Sequence, residues 1–552
     1  MTPVAHPALL GPAALGWLLL LFAVGWSWRT LSSKDTTTAA DWKWWLLTAG
    51  VLLCFRWPLV WLPHELYPDE SQLIAGAITL RHDPVFWRSV DGGTAGPLAY
   101  YALLPAAFVS GTASFAIARL IAAALVLGTL ISAGESLALV TTRAVARLAV
   151  LPFLVFESFT TSAEFVPCST ELVPGLLLAV AVYGITRQAT RPSAKNIWLA
   201  ALLLGAVPFS KLQAVPIAAV LGLILIWQEF SSGRKASLGP LLIGATLPLL
   251  AAGVAVTATG QAENLVIPYL LHNFEYVQGG RQSLTDVVLT QWHQAVTNGY
   301  LALWLTGSVA FLIATVALAR NAPQALRRFR LAALVMLGVA IACVLAPGRP
   351  YNHYLNLLML PLSLLVGSAL ARLLPSDSAA SAGPRWLLAG LFLVFGVAPQ
   401  MVLRASNRSD PFEYYNTADR GAAHRELAAA VQAMTAPGET LGIWGWRSSL
   451  YVETGRPQAT RQAHSEAQLV SGPWQRYFLR RYLADFQDSN PPVFVDAVGP
   501  GNFRFQDRQL GHEIFPALRE WVDTHYTYLT DLDGVRVYVR NDRLAARRRG
   551  AF

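Results

Sequence analysis

The stretch LPHELYPDESQLIAG, Leu62 to Gly76, follows an apolar run long enough to cross a bilayer and sets His64, Glu65, Asp69 and Glu70 within a few residues of one another. Carboxylates beside hydrocarbon are costly unless they are solvated, paired or used in chemistry. Pro68 followed by Asp69 and Glu70 makes a good helix start, because proline lacks the donor a first turn cannot use and the carboxylates meet the positive end of the helix dipole. Leu73, Ile74, Ala77, Ile78 and Leu80 then recur at helical spacing, which predicts a helix lying along the membrane surface with its acidic first turn at headgroup height. A lipid-linked phosphate presents its reacting bond at that height, where an Asp can take a proton from an attacking hydroxyl. A well-made helix start and nothing more explains the same residues.

Composition sets the class. Of 552 residues, 54% are hydrophobic, only 14% are charged and 18 are Trp, a balance that excludes an ordinary soluble domain and indicates a multi-spanning membrane protein. The net charge of +9 is what cytoplasmic loops require, so nucleic acid is a poor partner. Cys54, Cys168 and Cys343 lie far apart with no CxxC pair, which argues against a disulfide framework and a thiolate metal site. The first apolar run, Leu9 to Trp28, has no Lys or Arg ahead of it and no cleavage signal after it, and reads as a retained span.

Apolar stretches near the ~20 residues needed to cross hydrocarbon occur at 9–28, 44–62, 114–140, 148–163, 172–186, 196–209, 213–228, 238–257, 299–319, 331–346, 355–373 and 386–402. The run 97–109 is either a further span or a shallow segment. Loop charge decides: if it does not cross, alternate loops collect Arg29, Lys34, Lys43, Arg143, Arg147, Arg187, Arg191, Lys195, Arg234, Lys235 and the later arginines up to Arg372 and Arg385 on one, cytoplasmic side. That topology puts the N-terminus, the 63–96 loop and the C-terminal region outside. After about residue 403 the charges are evenly spread: RELAAAVQAM reads as a helix, and LGIWGW, PVFVDAV and VRVYVR read as buried strands. Three regions result: 1–43, an N-terminal span and cytoplasmic loop; 44–403, a transmembrane domain with its first outer loop at 63–96; and 404–552, a small α/β domain on the outer side.

Further outer turns carry polar residues. FSKLQAVP supplies Lys211 and Gln213, PGRPYNHYLNLLMLP supplies Arg349, His353 and Tyr354, and SAEFVPCSTELVP supplies Glu164 and Glu171. A departing phosphate needs cationic and hydrogen-bonding partners of these types. Taken singly, each also reads as a snorkelling or packed residue, with either glutamate pairing Lys211 or Arg349. A divalent cation is possible at the mixed ligands His64, Glu65, Asp69, Glu70, His82 and Asp83, although no HExxH, DxD or Cys cluster fixes their spacing. There is no GxGxxG or P-loop to hold a soluble nucleotide. Trp444, Trp446, Tyr451 and Trp474 of the outer domain are read as core residues before they are read as sugar-stacking ones.

In order along the chain, YPDE, GPLAYYALLP, STELVP, FSKLQAVP and RPYNHYLNLLMLPLSLLVG resemble the integral-membrane glycosyltransferases of the GT-C fold, in particular the branch of the protein O-mannosyltransferases and lipid A aminoarabinose transferases. The C-terminal IWGWRSSLYVETGRP is similar to the soluble domain of some bacterial members. The resemblance implies a GT-C-like polytopic helical membrane protein of about 11–13 transmembrane helices with a small extracytoplasmic α/β domain. It implies a polyprenyl-phosphate sugar donor, an inverting displacement with a first-outer-loop carboxylate as base, and an inner-membrane enzyme working on its outer, periplasmic face. The acceptor would be a cell-envelope glycan, a lipid or a protein. Asp69 matches the catalytic position with Glu70 as its neighbour, and Glu171 matches the acidic residue of the second outer turn. Members with a KPPL sequence use its lysine near the phosphate. Here TAGPL replaces it, which leaves that contact to Arg349, Lys211, Arg88 or His353. The other reading is a flippase of lipid-linked sugars, which should show repeat symmetry and ionisable residues inside its spans, Glu135 being the main candidate.

Overall fold

The computed structural model describes residues 7–30, 41–234, 238–278, 282–297, 323–373, 382–406 and 418–548. Its first ten helices are α1 (Pro7–Arg29), α2 (Trp42–Val60), α3 (Pro68–His82), α4 (Pro97–Tyr101), α5 (Gly111–Val140), α6 (Arg143–Phe159), α7 (Leu172–Thr190), α8 (Ala194–Ala206), α9 (Val215–Ser231) and α10 (Leu238–Ala258). Among the described residues, seven helical stretches are long and apolar enough to span a membrane, at Gly11–Arg29, Gly111–Val140, Leu172–Thr190, Leu212–Ser231, Leu238–Ala258, Gln324–Leu345 and Asn352–Ala371. The chain is a multi-pass membrane protein. The remaining predicted spans are also helical, but α2 carries Lys43 and Arg56, while α6, α8 and Ala382–Gly396 have 17, 13 and 15 residues. The stretch 299–319 lies outside the described residues. The segment 97–109 forms only the five-residue α4 and a five-residue 3-10 turn, Leu104–Phe108, as the loop charges required.

The chain divides into two compact units. The first comprises Met1–Leu59, Ala122–Val254 and Gly280–Pro411, and the second Val60–Ile121, Ala255–Gly279 and Phe412–Phe552. Helices of the first unit approach closely where side chains are absent: a Cβ on Gly205 of α8 would lie 2.3 Å from the Ala245 carbonyl oxygen of α10. Its internal charges are paired. Arg56 of α2 bonds Glu157 of α6 at 2.5 Å, both buried, and Glu135 accepts from Arg143 at 2.7 Å and from the Trp45 indole at 2.8 Å. Glu135 is therefore an anchor between helices, as expected of a charge kept in an apolar setting.

The second unit is built on a four-stranded sheet of β1 (Leu441–Gly445), β2 (Val493–Ala497), β3 (Tyr526–Leu532) and β4 (Val535–Arg540), in the order β1-β2-β4-β3. β1 and β2 are parallel and the other pairs antiparallel. Alternation gives the sheet two apolar faces. Val493, Val495, Val537 and Val539 pack with Leu427 and Val431 of the helix Ala418–Met434, while Phe494 and Tyr526 pack with Phe486, Leu518 and Val522. Trp444 and Tyr451 are fully buried, so both belong to the core. Three strands match the apolar runs; β3 escapes that reading because its residues after Tyr526 face largely outward.

One expectation is corrected here. α3 does not lie as an amphipathic surface helix: Leu73 through Leu80 are all buried, including Gly76 and Thr79. Its small residues allow contact on every side, and a Cβ on Gly76 would come within 2.4 Å of the Tyr100 ring. The 63–96 loop groups with the C-terminal domain in the second unit. Ala75 belongs to the domain's core, and the Gln458 amide donates to Thr79 Oγ1 at 3.0 Å.

Candidate functional site

In the second unit, Tyr67 is extended ahead of α3 and Pro68 occupies its first turn with Asp69 and Glu70. The neighbours then part company. Glu70 is fully buried, whereas Asp69 keeps partial exposure. Arg119, near the start of α5 and also buried, grips Glu70 through Nε at 2.8 Å and Nη2 at 2.9 Å. The same guanidinium donates to the carbonyls of Leu62 at 2.8 Å and His64 at 2.6 Å, and the Leu66 amide donates to Glu70 Oε2 at 3.0 Å. This clamp stitches the 62–66 turn to the helix start and thereby fixes Asp69. Both oxygens of Glu70 are thus occupied by the protein.

Other acidic residues of this loop are similarly engaged. Arg88 is tied to Asp83 at the surface, and Arg481 is tied to the buried Asp91. Glu65 is half-buried, and burial pushes its carboxyl above the ordinary carboxylate range against the pull of Ser71 and Arg447. Of the carboxylates that the sequence offered to a divalent cation, Glu70 and Asp83 are each paired with an arginine, while one oxygen of Glu65 is buried without a hydrogen-bond partner. Among the described residues, the only grouping of three potential ligands is Asp496, His512 and Glu513. Arg536 bonds both carboxylates there, so that cluster also carries its own cation.

In the first unit, Glu164, Thr170, Glu171, Lys211, His353 and Tyr354 form one connected group. Lys211, 3% exposed, donates to Thr170 Oγ1 at 2.5 Å, pairs with Glu171 and lies 4.9 Å from the centre of the Tyr354 ring. Burial alone would raise the Glu171 carboxyl, but the charges of Lys211 and His353 outweigh it and hold the group below the usual carboxylate range. Its Oε2 is buried without a hydrogen-bond donor, and Glu171 lines a cavity of about 20 Å³ with Asn356 and Met359. His353 Nδ1 sits 3.0 Å from Glu164 Oε2, and its ring stacks on Tyr351. Glu164 also accepts from the Asn352 amide at 2.8 Å. Arg349 is half-buried in the turn just ahead. Gln213 donates to the Cys343 carbonyl at 2.8 Å, so its amide is a brace between segments.

Sequence reasoning missed Arg119, Thr170 and the Arg56–Glu157 pair. A signal existed for the arginines, since a lone cation in an apolar run demands a partner.

No protein-family description and no curated protein matches the chain by sequence. The structure is similar to that of ArnT from Cupriavidus metallidurans bound to undecaprenyl phosphate, with a TM-score of 0.54 and 14% identity over 90% of this chain and 98% of that one. ArnT in the apo state scores 0.49 at 15% identity, covering 91% and 98%. The Archaeoglobus fulgidus oligosaccharyltransferase tethered to an acceptor peptide scores 0.44 at 10% identity, covering 93% and 72%. The last two scores are too low to carry weight. The likeness to ArnT is one of fold, and it is the GT-C fold that the sequence motifs resembled.

Proposed function

We propose that the protein is a membrane glycosyltransferase that moves a sugar from a polyprenyl-phosphate donor to an acceptor on the outer face of the inner membrane. Asp69 takes the proton of the acceptor hydroxyl as its oxygen attacks the anomeric carbon. The bond to the phosphate oxygen breaks, the configuration inverts and polyprenyl phosphate departs. Glu70 and Arg119 hold Asp69 in place. Arg349 is the first choice for the leaving phosphate. Lys211, His353 and Tyr354 are its supporting group, with Glu171 holding Lys211 in position. The acceptor is a cell-envelope glycan, a lipid or a protein, and the reaction needs no nucleotide.

The observation that best supports this reading is the contrast within one helix turn: Glu70 is sealed by Arg119 while Asp69 beside it keeps access to solvent. A general base must reach its proton, whereas a structural carboxylate need not. The test is to incubate the purified protein in lipid with radiolabelled polyprenyl-phosphate sugars and follow donor consumption in wild type and Asp69→Asn. Turnover of one donor that depends on Asp69 is expected. Donor that crosses a vesicle bilayer without being consumed would replace the transferase with a flippase.

A further inference from the structure

In the first unit, the C-terminal ends of α7 and α9 and the start of the helix Gln324–Leu345 border a cleft of about 170 Å³. Its wall is apolar, formed by Val182, Leu221, Phe329 and Met336, while Gln228, Arg234 and Arg328 supply polar groups at its edge. The two arginines differ. Arg234 is neutralised by Glu229 through bonds of 2.7 and 3.0 Å, and Glu229 also accepts from Gln188 at 3.2 Å. Arg328 has no carboxylate partner among the described residues. Its guanidinium lies 5.1 Å from the centre of the Trp227 ring, and Trp227 is 49% exposed.

An apolar slot, an interfacial tryptophan and an uncompensated guanidinium at its mouth have the complementarity of one kind of molecule. A hydrocarbon chain fills the slot, and an anionic headgroup meets the cation. A free anion would leave the apolar wall without a partner, and a zwitterionic lipid, whose phosphate is already compensated by its own ammonium, would meet Arg328 more weakly. We propose that this cleft seats an acyl chain of an anionic phospholipid, with the lipid's phosphate on Arg328 and Trp227 bordering its glycerol region. This site is independent of the glycosyl-transfer reading.

The test uses the full chain purified in detergent and titrated with phosphatidylglycerol or phosphatidylcholine, with bound lipid read by native mass spectrometry. Wild type should retain phosphatidylglycerol in preference to phosphatidylcholine. Arg328→Gln should lower phosphatidylglycerol occupancy about fivefold, one basic residue's share of an anionic-lipid contact, and phosphatidylcholine, with its internally compensated phosphate, by less. Arg328→Lys should restore the preference, and Ala333→Phe, which fills the slot, should remove binding of both lipids. Melting temperatures of the Arg328 variants confirm folding, because that side chain sits half-exposed on the rim. Equal retention of the two lipids, or a preference unaltered in Arg328→Gln, overturns the proposal. Displacement of the lipid by inorganic phosphate alone also overturns it, leaving a simple anion site.

Discussion

Two buried ion pairs, Glu70–Arg119 and Glu171–Lys211, differ in how completely the protein satisfies them. Around Glu70 both carboxylate oxygens and three guanidinium nitrogens have partners, and two of those partners are backbone carbonyls of the preceding turn. Around Glu171 one carboxylate oxygen is buried with no donor beside a small cavity, and Lys211 is shared among a hydroxyl, a carboxylate and an aromatic face. The first pair is architecture that is already complete. The second carries unspent hydrogen-bonding capacity, and such capacity in a buried site needs an explanation beyond stability.

The largest expected effect separates Asp69 from that architecture. Asp69→Asn should cut donor turnover by about 10²–10⁴-fold, the usual weight of a general base, with the melting temperature unchanged. Residual turnover near wild type would remove Asp69 from the chemistry. Glu70→Gln should instead act on folding, because Arg119 would be left buried and uncompensated, at a cost of about 3–5 kcal/mol. The double replacement Glu70→Leu with Arg119→Met should recover most of that loss in denaturant unfolding. If Glu70→Gln were as stable as wild type but inactive, the clamp would have to be read as part of the reaction.

Lys211→Met sharpens the comparison from the other side. Removing the ammonium leaves Glu171 buried without its main counter-charge, but the carboxyl can then take a proton, so a smaller loss of about 1–3 kcal/mol is expected at neutral pH. A depressed carboxyl contributes stability that is present above its unfolded value of about 4.3 and is lost as pH falls through the folded value. Wild type should therefore lose this contribution only below about pH 4, the unfolded carboxylate range. Lys211→Met should have lost it already at neutral pH. Parallel pH–stability curves for the two proteins would break the assignment of Glu171 as the group that Lys211 holds ionised.

How far the sequence could be read follows from the same physics. Apolar runs and the strands LGIWGW, PVFVDAV and VRVYVR were legible because burial on both faces demands continuous hydrophobicity, and β3 was not because it is solvated. α3 misled because Ala75, Gly76, Ala77 and Thr79 satisfy a surface stripe and an all-round core equally well, and only the distant Tyr100 and the C-terminal domain decide between them. In the candidate site, the pairing of Glu171 with Lys211 is one that the sequence allows. The clamp is not legible there, since it joins residues 49 apart whose meeting no local pattern specifies.

The smallest effect belongs to Arg88, which the resemblance offered as a phosphate ligand. Its pair with Asp83 is exposed on both sides, 49% and 34%, and such pairs are worth about 0–1 kcal/mol. Arg88→Ala should therefore barely alter stability. Because the guanidinium is engaged by Asp83 within its own loop, the variant should also leave the KM for the lipid-linked donor unchanged. Asp83→Asn adds the discriminating step, since it releases Arg88 without deleting it. If Arg88 were a phosphate ligand restrained by Asp83, this variant would bind donor more tightly and Arg88→Ala more weakly. Two unchanged KM values mark the pair as a loop brace and leave the donor phosphate to the residues around Arg349 and Lys211.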